Sequence, residues 1–251
     1  MQKEATGLGD IAVITSGKGG TGKSTITSGC GAALAKRGKK VLLIDTDAGL
    51  RCLDLILGVS DITVNDLGDV LGGNCAPASA IYSIPSCPGL FLMAAPGAPN
   101  FYGEANDMKR LCRGLARYYD YILIDSPAGV DIGFKFAVSA AHAALVVVTP
   151  DPLSIRDSER VGRLLSREGI TRKRLVINKY KNKVLKYGGI SDLDSVIDST
   201  KIRLIAIIPE DEKILKCHAT GSIIEGKSPG AVCLNNLSLR IEGIEVPLYR
   251  F

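Results

Sequence analysis

No run of 18 consecutive apolar residues occurs in the 251-residue chain, so it offers no helix long enough to cross a bilayer. The opening Met1-Gln2-Lys3-Glu4-Ala5-Thr6 lacks the apolar core of a signal peptide, and the chain is expected to stay in the cytoplasm. Seven cysteines make an odd number, none stands in a C-x-x-C pair, and the two histidines, His142 and His218, are far apart. Zinc sites and disulfide frameworks need tighter patterns, so most of these cysteines read as small buried residues or reduced thiols. Hydrophobic residues make up 46% and charged residues 23% of the chain. At this length one α/β domain spanning residues 1–251 is expected.

What is present centres on Gly17-Lys18-Gly19-Gly20-Thr21-Gly22-Lys23-Ser24-Thr25. A β-branched apolar run, Asp10 to Ser16, precedes it and reads as a buried strand; Ile26 to Arg37 follows and reads as a helix. Strand, glycine-rich turn and helix form the context in which G-x-x-x-x-G-K-[ST] is a phosphate-binding loop. Glycines lack the Cβ that would keep the backbone from curling its N–H groups around an anion, and the helix adds its positive N-terminal end. Lys23 is expected to reach the β- and γ-phosphates and the Ser24 hydroxyl to ligate Mg²⁺. Lys18 is a second lysine that the ordinary pattern does not require.

Apolar runs recur at Ile11–Thr15, Val41–Asp45, Leu90–Ala94, Tyr121–Asp125, Ala144–Thr149, Arg174–Asn178 and Arg203–Ile208. Most are continuous rather than alternating, as expected of strands covered on both faces. Helix-period segments lie between them at Thr25–Arg37, Glu104–Tyr118 and Ser154–Arg167. This alternation predicts a doubly wound, mostly parallel sheet flanked by helices on both faces, with binding residues at the carboxyl ends of the strands. Residues 72–99, rich in Pro, Ala, Ser and Gly, read as loops around one strand.

Two further motifs sit at such strand ends. Asp45-Thr46-Asp47 places two carboxylates two residues apart, where one can hold a Mg²⁺-bound water or polarise an attacking water. Tyr121-Ile122-Leu123-Ile124-Asp125 is an apolar run ending in a carboxylate, the form of a Walker B strand whose Asp binds Mg²⁺ through water. Ser126-Pro127-Ala128-Gly129 follows and suits a loop that moves when the γ-phosphate leaves.

The K-G-G-x-G-K-[ST] loop, D-x-D-x-G-L-R-x-L-D, D-S-P-A-G, Ser154-Ile155-Arg156-Asp157-Ser158-Glu159-Arg160 and Ile207-Ile208-Pro209-Glu210-Asp211 together resemble the MinD/ParA family of deviant Walker A P-loop ATPases, its MinD branch most closely. The resemblance runs from about residue 10 to about residue 235. It implies ATP and Mg²⁺ as ligands, ATP hydrolysis used as a slow positioning switch, and a face-to-face homodimer closed by ATP. By the same resemblance Lys18 crosses to the nucleotide of the other subunit, and Lys23 contacts phosphate in its own. Gly17, Gly19, Gly20, Thr21 and Gly22 line the phosphates, Thr25 contacts the α-phosphate, and Asp47 orients the attacking water. Ser24, Asp45 and Asp125 form the Mg²⁺ shell, and Asn178, Pro209, Glu210 and Asp211 border the adenine. Regulatory partners of the MinC/MinE kind are implied, with placement of the cell division site as the function.

Residues 156–186 hold eleven Lys/Arg against three acidic residues, which leaves the rest of a chain of net charge +5 slightly negative. Such a stretch can meet DNA phosphates or anionic lipid, or form a solvated helix face. The alternatives are therefore a ParA-like partition ATPase that binds DNA nonspecifically, or a MinD-like regulator of flagellar number, whose long N-terminal helix is absent here. A metal-cluster carrier of the same group fits the cysteine spacing poorly. MinD proteins end in a basic amphipathic helix; the tail 238–251 instead carries Gly243, Pro247, Glu242 and Glu245. Peripheral attachment to the membrane through it is expected to be weak. Cys52 stands where the family usually has asparagine.

Overall fold

The computed structural model describes residues 9–98, 103–181 and 193–249. Lys183 and Lys186 of the basic stretch, the first six residues, Arg250 and Phe251 lie outside the described residues.

Eight strands form one sheet: β1 (Asp10–Thr15), β2 (Val41–Asp45), β3 (Tyr82–Ser83), β4 (Leu90–Met93), β5 (Tyr121–Asp125), β6 (Ala143–Val148), β7 (Arg172–Tyr180) and β8 (Leu204–Pro209). Their order is β3-β4-β2-β5-β1-β6-β7-β8, and every pairing is parallel except β3 with β4. Around them lie α1 (Lys23–Lys36), α2 (Cys52–Ile56), α3 (Leu67–Leu71), α4 (Ala105–Leu115), α5 (Ile132–Ser139), α6 (Pro152–Arg167), α7 (Leu193–Thr200), α8 (Glu212–Ala219) and α9 (Pro229–Ile241).

Successive strand residues point to opposite faces, and because both faces are covered both sets are apolar. Ile11, Val13, Leu42, Ile44, Ile122, Ile124, Val146 and Val148 meet residues of α4, α5 and α6 on one side. Ile14, Leu43, Leu90, Leu92, Leu123, Leu145 and Val147 meet α1 and α9 on the other. Helix α1 is small-residue-rich because it is covered on both sides. A Cβ added at Gly29 would lie 2.6 Å from Leu234 Cδ1, and one at Gly31 2.7 Å from Leu43 Cδ2.

The doubly wound architecture is as expected, with three corrections. The segment 72–99 carries two strands, not one, because β3 pairs antiparallel with β4; two residues are too few to show any period. Helix α1 begins at Lys23, inside the glycine motif, since Gly22 takes the left-handed φ of 94° and turns the chain directly into the helix. Strand β7 runs from Arg172 to Tyr180, longer at both ends than its apolar run.

The basic stretch is not one patch. Arg156, Arg160, Arg163 and Arg167 line the exposed face of α6. Arg172 pairs with Asp10 at the start of β7, whereas Lys179 and Lys181 sit at its far end, the latter pairing with Glu210. At about 3.3 Å per strand residue those ends are roughly 25 Å apart. Beyond the sheet, α9 stops at Ile241 and the chain continues without helix through Tyr249. Arg240 holds that tail, donating to the carbonyls of Val246 (3.0 Å) and Pro247 (2.7 Å) while also reaching Ile205 O (2.8 Å).

Candidate functional site

The topology brings three strand ends together. β5 lies between β1 and β2, with Asp125 in register with Ile14 on one side and with Asp45 on the other. The glycine-rich loop leaves β1 at that point. Its bends need glycine: Gly20 and Gly22 have φ of 75° and 94°, a region that costs L-residues about 1–2 kcal/mol. Gly17 is required for another reason, because a Cβ there would lie 2.6 Å from Asp157 Cβ and 2.8 Å from the α6 backbone. Among the described residues, nothing accepts from the N–H groups of Gly19, Gly20, Thr21 or Gly22, and the buried Thr21 Oγ1 has no partner either. A turn whose consecutive N–H groups lack acceptors, at the head of a 14-residue helix, is a seat for an anion.

Beneath the loop lies a cluster of opposite charge. Lys23 is buried and its ammonium attracts the carboxylates of Asp47 and Asp125. The Ser24 hydroxyl hydrogen-bonds Asp125, as does Thr27 Oγ1 at 3.2 Å. Burial pushes the Asp125 carboxyl above its ordinary range, against the pull of Ser24, Lys23 and Thr27. Burial, and then the Asp125 charge beside it, pushes Asp45 up as well. Two adjacent fully buried carboxylates are stable as anions only with a cation between or beside them.

Asp45 also does a second task. Its Oδ1 accepts from Asp47 N at 2.9 Å and its Oδ2 from Leu53 N at 3.1 Å. The strand end thus fixes the loop that carries Asp47 and the first turn of α2. Asp47 itself is half-buried, its carboxyl raised by burial against the attraction of Lys23. Lys18 lies at the rim, its ammonium 3.4 Å from Asp151 Oδ1, both side chains more than one third exposed. Asp151 caps α6 through Ser154 N.

On the other side, Asn178 is buried and its Nδ2 donates to Thr21 O at 2.8 Å. Pro209 closes β8, and Glu210 pairs with Lys181. Asp211 commits its carboxylate to Lys213 N at 2.9 Å, at the start of α8, and to Gly230 N at 2.9 Å. Its burial opposes ionisation, but hydrogen bonds from Ser228, Gly230 and Lys213 outweigh it and hold the carboxyl low.

The family model of the CobQ/CobB/MinD/ParA nucleotide binding domain matches residues 12–224. The septum site-determining protein MinD of Thermotoga maritima is 39% identical over 246 residues, 96% of this chain and 91% of the relative. The chain belongs to the MinD family. Among solved structures, the MinC:MinD cell division protein complex of Aquifex aeolicus superposes with a TM-score of 0.89 at 38% identity, covering 96% of this chain and 99% of that one. MinD of Pyrococcus horikoshii complexed with Mg-ADP gives a TM-score of 0.83 at 28% identity, with 94% and 96% covered.

The residues fit the ligands of a MinD-family domain. Two carboxylates and a hydroxyl form an all-oxygen set suited to Mg²⁺, which takes few protein ligands and leaves the rest to water and phosphate; among the described residues no group of three His, Cys, Asp or Glu forms a metal cage. Cys52 opens α2 beside this set. Burial, together with the carboxylates of Asp45, Asp47, Asp125 and Asp54, pushes its thiol up to about 11, which disfavours the thiolate. Sequence reasoning missed Thr27, which flanks Asp125, and Asp151, which pairs with Lys18. Thr27 could have been found as the residue one helical turn after Lys23; Asp151 carried a cap signal, standing before Pro152, but none for its pair with Lys18.

Proposed function

We propose that the chain is a MinD-type ATPase switch that binds ATP with Mg²⁺, pairs face to face with a second copy and hydrolyses the nucleotide to separate. The reading rests above all on one arrangement: the open phosphate loop stands over Lys23, Ser24, Asp45, Asp47 and Asp125, with Lys18 at the rim. Gly17 to Gly22 supply amides to the phosphates, Lys23 neutralises β- and γ-oxygens, and Thr25 sits one residue further for the α-phosphate. Ser24, Asp125 and Asp45 would hold Mg²⁺, which would supply positive charge beside the γ-phosphoryl group. Asp47, tethered by Asp45, orients the attacking water in line with the leaving oxygen. Asn178, Pro209, Glu210 and Asp211 flank the base, Asp211 as a structural cap rather than a contact.

Exposed apolar side chains stand near the same strand ends. Leu50, Ile132 and Leu153, on the segments that follow β2, β5 and β6, are 68%, 68% and 46% exposed. A second copy would cover them, and Lys18 would exchange Asp151 for the partner's nucleotide. Relatives named for septum site determination, and a MinC complex of such a relative, support placement of the division site with a MinC-like partner as the role. The basic residues are divided between α6 and the two ends of β7, which gives less support to a DNA-binding partition role. Arg240 holds Val246 and Pro247 on the body, which gives less support to membrane attachment through this segment.

The test is steady-state phosphate release with Mg²⁺-ATP. Asp47→Ala is expected to keep ATP binding and lose hydrolysis at least a hundredfold, and Lys23→Ala to lose both. Hydrolysis by Asp47→Ala at the wild-type rate would overturn the assignment of the water-orienting residue.

A further inference from the structure

Strand β7 ends irregularly. Ile177 pairs with Ile207 and Tyr180 with Pro209, so β7 fits one more residue than β8 into the same span. This is a bulge. Within it Lys179 takes a φ of 55°, a left-handed backbone uncommon for a lysine.

The contorted residue makes a particular contact. Lys179 Nζ donates to Gly20 O at 2.8 Å, and the neighbouring Asn178 Nδ2 donates to Thr21 O at 2.8 Å. Two adjacent side chains on one strand end therefore grip two adjacent carbonyls of the phosphate loop. A peptide unit is planar and trans, so its C=O and the following N–H point in opposite directions. Holding Gly20 O toward β7 turns the Thr21 N–H away from it; holding Thr21 O does the same for the Gly22 N–H. Both are among the N–H groups that find no acceptor among the described residues. The absence of a Cβ at Gly22 is what lets the Asn178 amide approach.

We propose that Lys179 is a positioning residue for phosphate recognition. It sets the Gly20–Thr21 peptide plane so that the Thr21 amide faces the anion before any nucleotide arrives, as Asn178 sets the next plane. The bulge is the backbone device that turns Lys179 from the outer face of the strand onto the loop. The proposal rests on the nucleotide-binding reading above and assigns a role in it to a residue otherwise counted only among the basic side chains of 156–186.

The experiment measures ADP affinity by calorimetry at fixed Mg²⁺, and thermal melting of the nucleotide-free protein, for wild type and four variants. Lys179 is exposed, so its replacement leaves the core untouched. Lys179→Ala and Lys179→Met, the latter keeping the stem without the donor, are expected to weaken ADP binding about five- to tenfold, the value of one charge-assisted hydrogen bond at an exposed site. Lys179→Arg, which keeps a cationic donor, is expected to bind within about twofold of wild type. Lys179→Gly separates positioning from stability. Relief of the left-handed backbone should leave its melting temperature no lower than wild type, while ADP binding falls as in Lys179→Ala. The proposal is overturned if all four variants bind ADP within twofold of wild type, or if affinity simply follows melting temperature across the set. A wild-type protein that binds no ADP would overturn the nucleotide reading itself, an outcome distinct from both.

Discussion

Gly22→Ala is the substitution whose effect the geometry fixes most closely. Gly22 has φ 94°, and an added Cβ would fall inside the van der Waals envelope of Asn178 Nδ2. The left-handed backbone alone costs an alanine about 1–2 kcal/mol. Relieving the clash moves the Asn178 amide away from Thr21 O, now 2.8 Å distant. Loss of that hydrogen bond by a side chain only 4% exposed costs about 1–3 kcal/mol more. The sum is roughly 2–5 kcal/mol, a lowering of the melting temperature by about 4–20 °C at 2–4 °C per kcal/mol for a chain of this size. Gly20→Ala is the control, because Gly20 has φ 75° but nothing within 4 Å of its Cβ position. It carries the backbone cost without the clash. Denaturant melts of Gly22→Ala, Gly20→Ala, Asn178→Ala and the Gly22→Ala/Asn178→Ala double variant separate the two parts. The double variant should be less destabilised than the two singles added together. Equal losses in the two glycine variants, together with strict additivity in the double, would refute the reasoning.

Three further outcomes follow from the same geometry. Asp45 and Asp125 have folded-state pKa values raised above the ordinary carboxylate value of about 4. The folded protein therefore binds more protons than the unfolded chain above that pH, and their contribution to stability is lost as pH rises toward neutrality. Melting of the Mg²⁺-free protein between about pH 5 and pH 8 should show a decline that Mg²⁺ reduces and that Asp125→Asn flattens; a rise with pH common to all three would contradict it. Arg240→Ala removes donors to Val246, Pro247 and Ile205 carbonyls and should destabilise by about 2 kcal/mol while speeding amide exchange in residues 243–249. Arg240→Lys, lacking the planar fork, should restore less than half of that. Lys18→Ala should change stability by less than about 1 kcal/mol, since its pair with Asp151 is exposed.

Much of the site was legible because it is local. A phosphate loop is nine consecutive residues between a strand and a helix, and Asp45 and Asp125 each end an apolar run. What a run cannot show is which strands are neighbours. That Asp45 and Asp125 lie side by side follows from β5 inserting between β1 and β2. Asp45 was expected at the metal, and its grip on Asp47 and Leu53 emerges only where the chain turns back. Lys179 was hidden twice, by a bulge that has no periodicity and by a partner 159 positions away. The tail was read from composition as a poor amphipathic helix; its actual anchor, Arg240, acts on carbonyls, which carry no side-chain signal.

The proposed switch requires an ATP-closed dimer in which Lys18 leaves Asp151 for the other subunit's nucleotide. Light scattering of Asp47→Ala with Mg²⁺-ATP tests it most directly. Twice the monomer mass is expected with ATP, monomer mass with ADP, and monomer mass with ATP once Lys18→Ala is added. A monomer under all three conditions, or a dimer indifferent to Lys18, would contradict it.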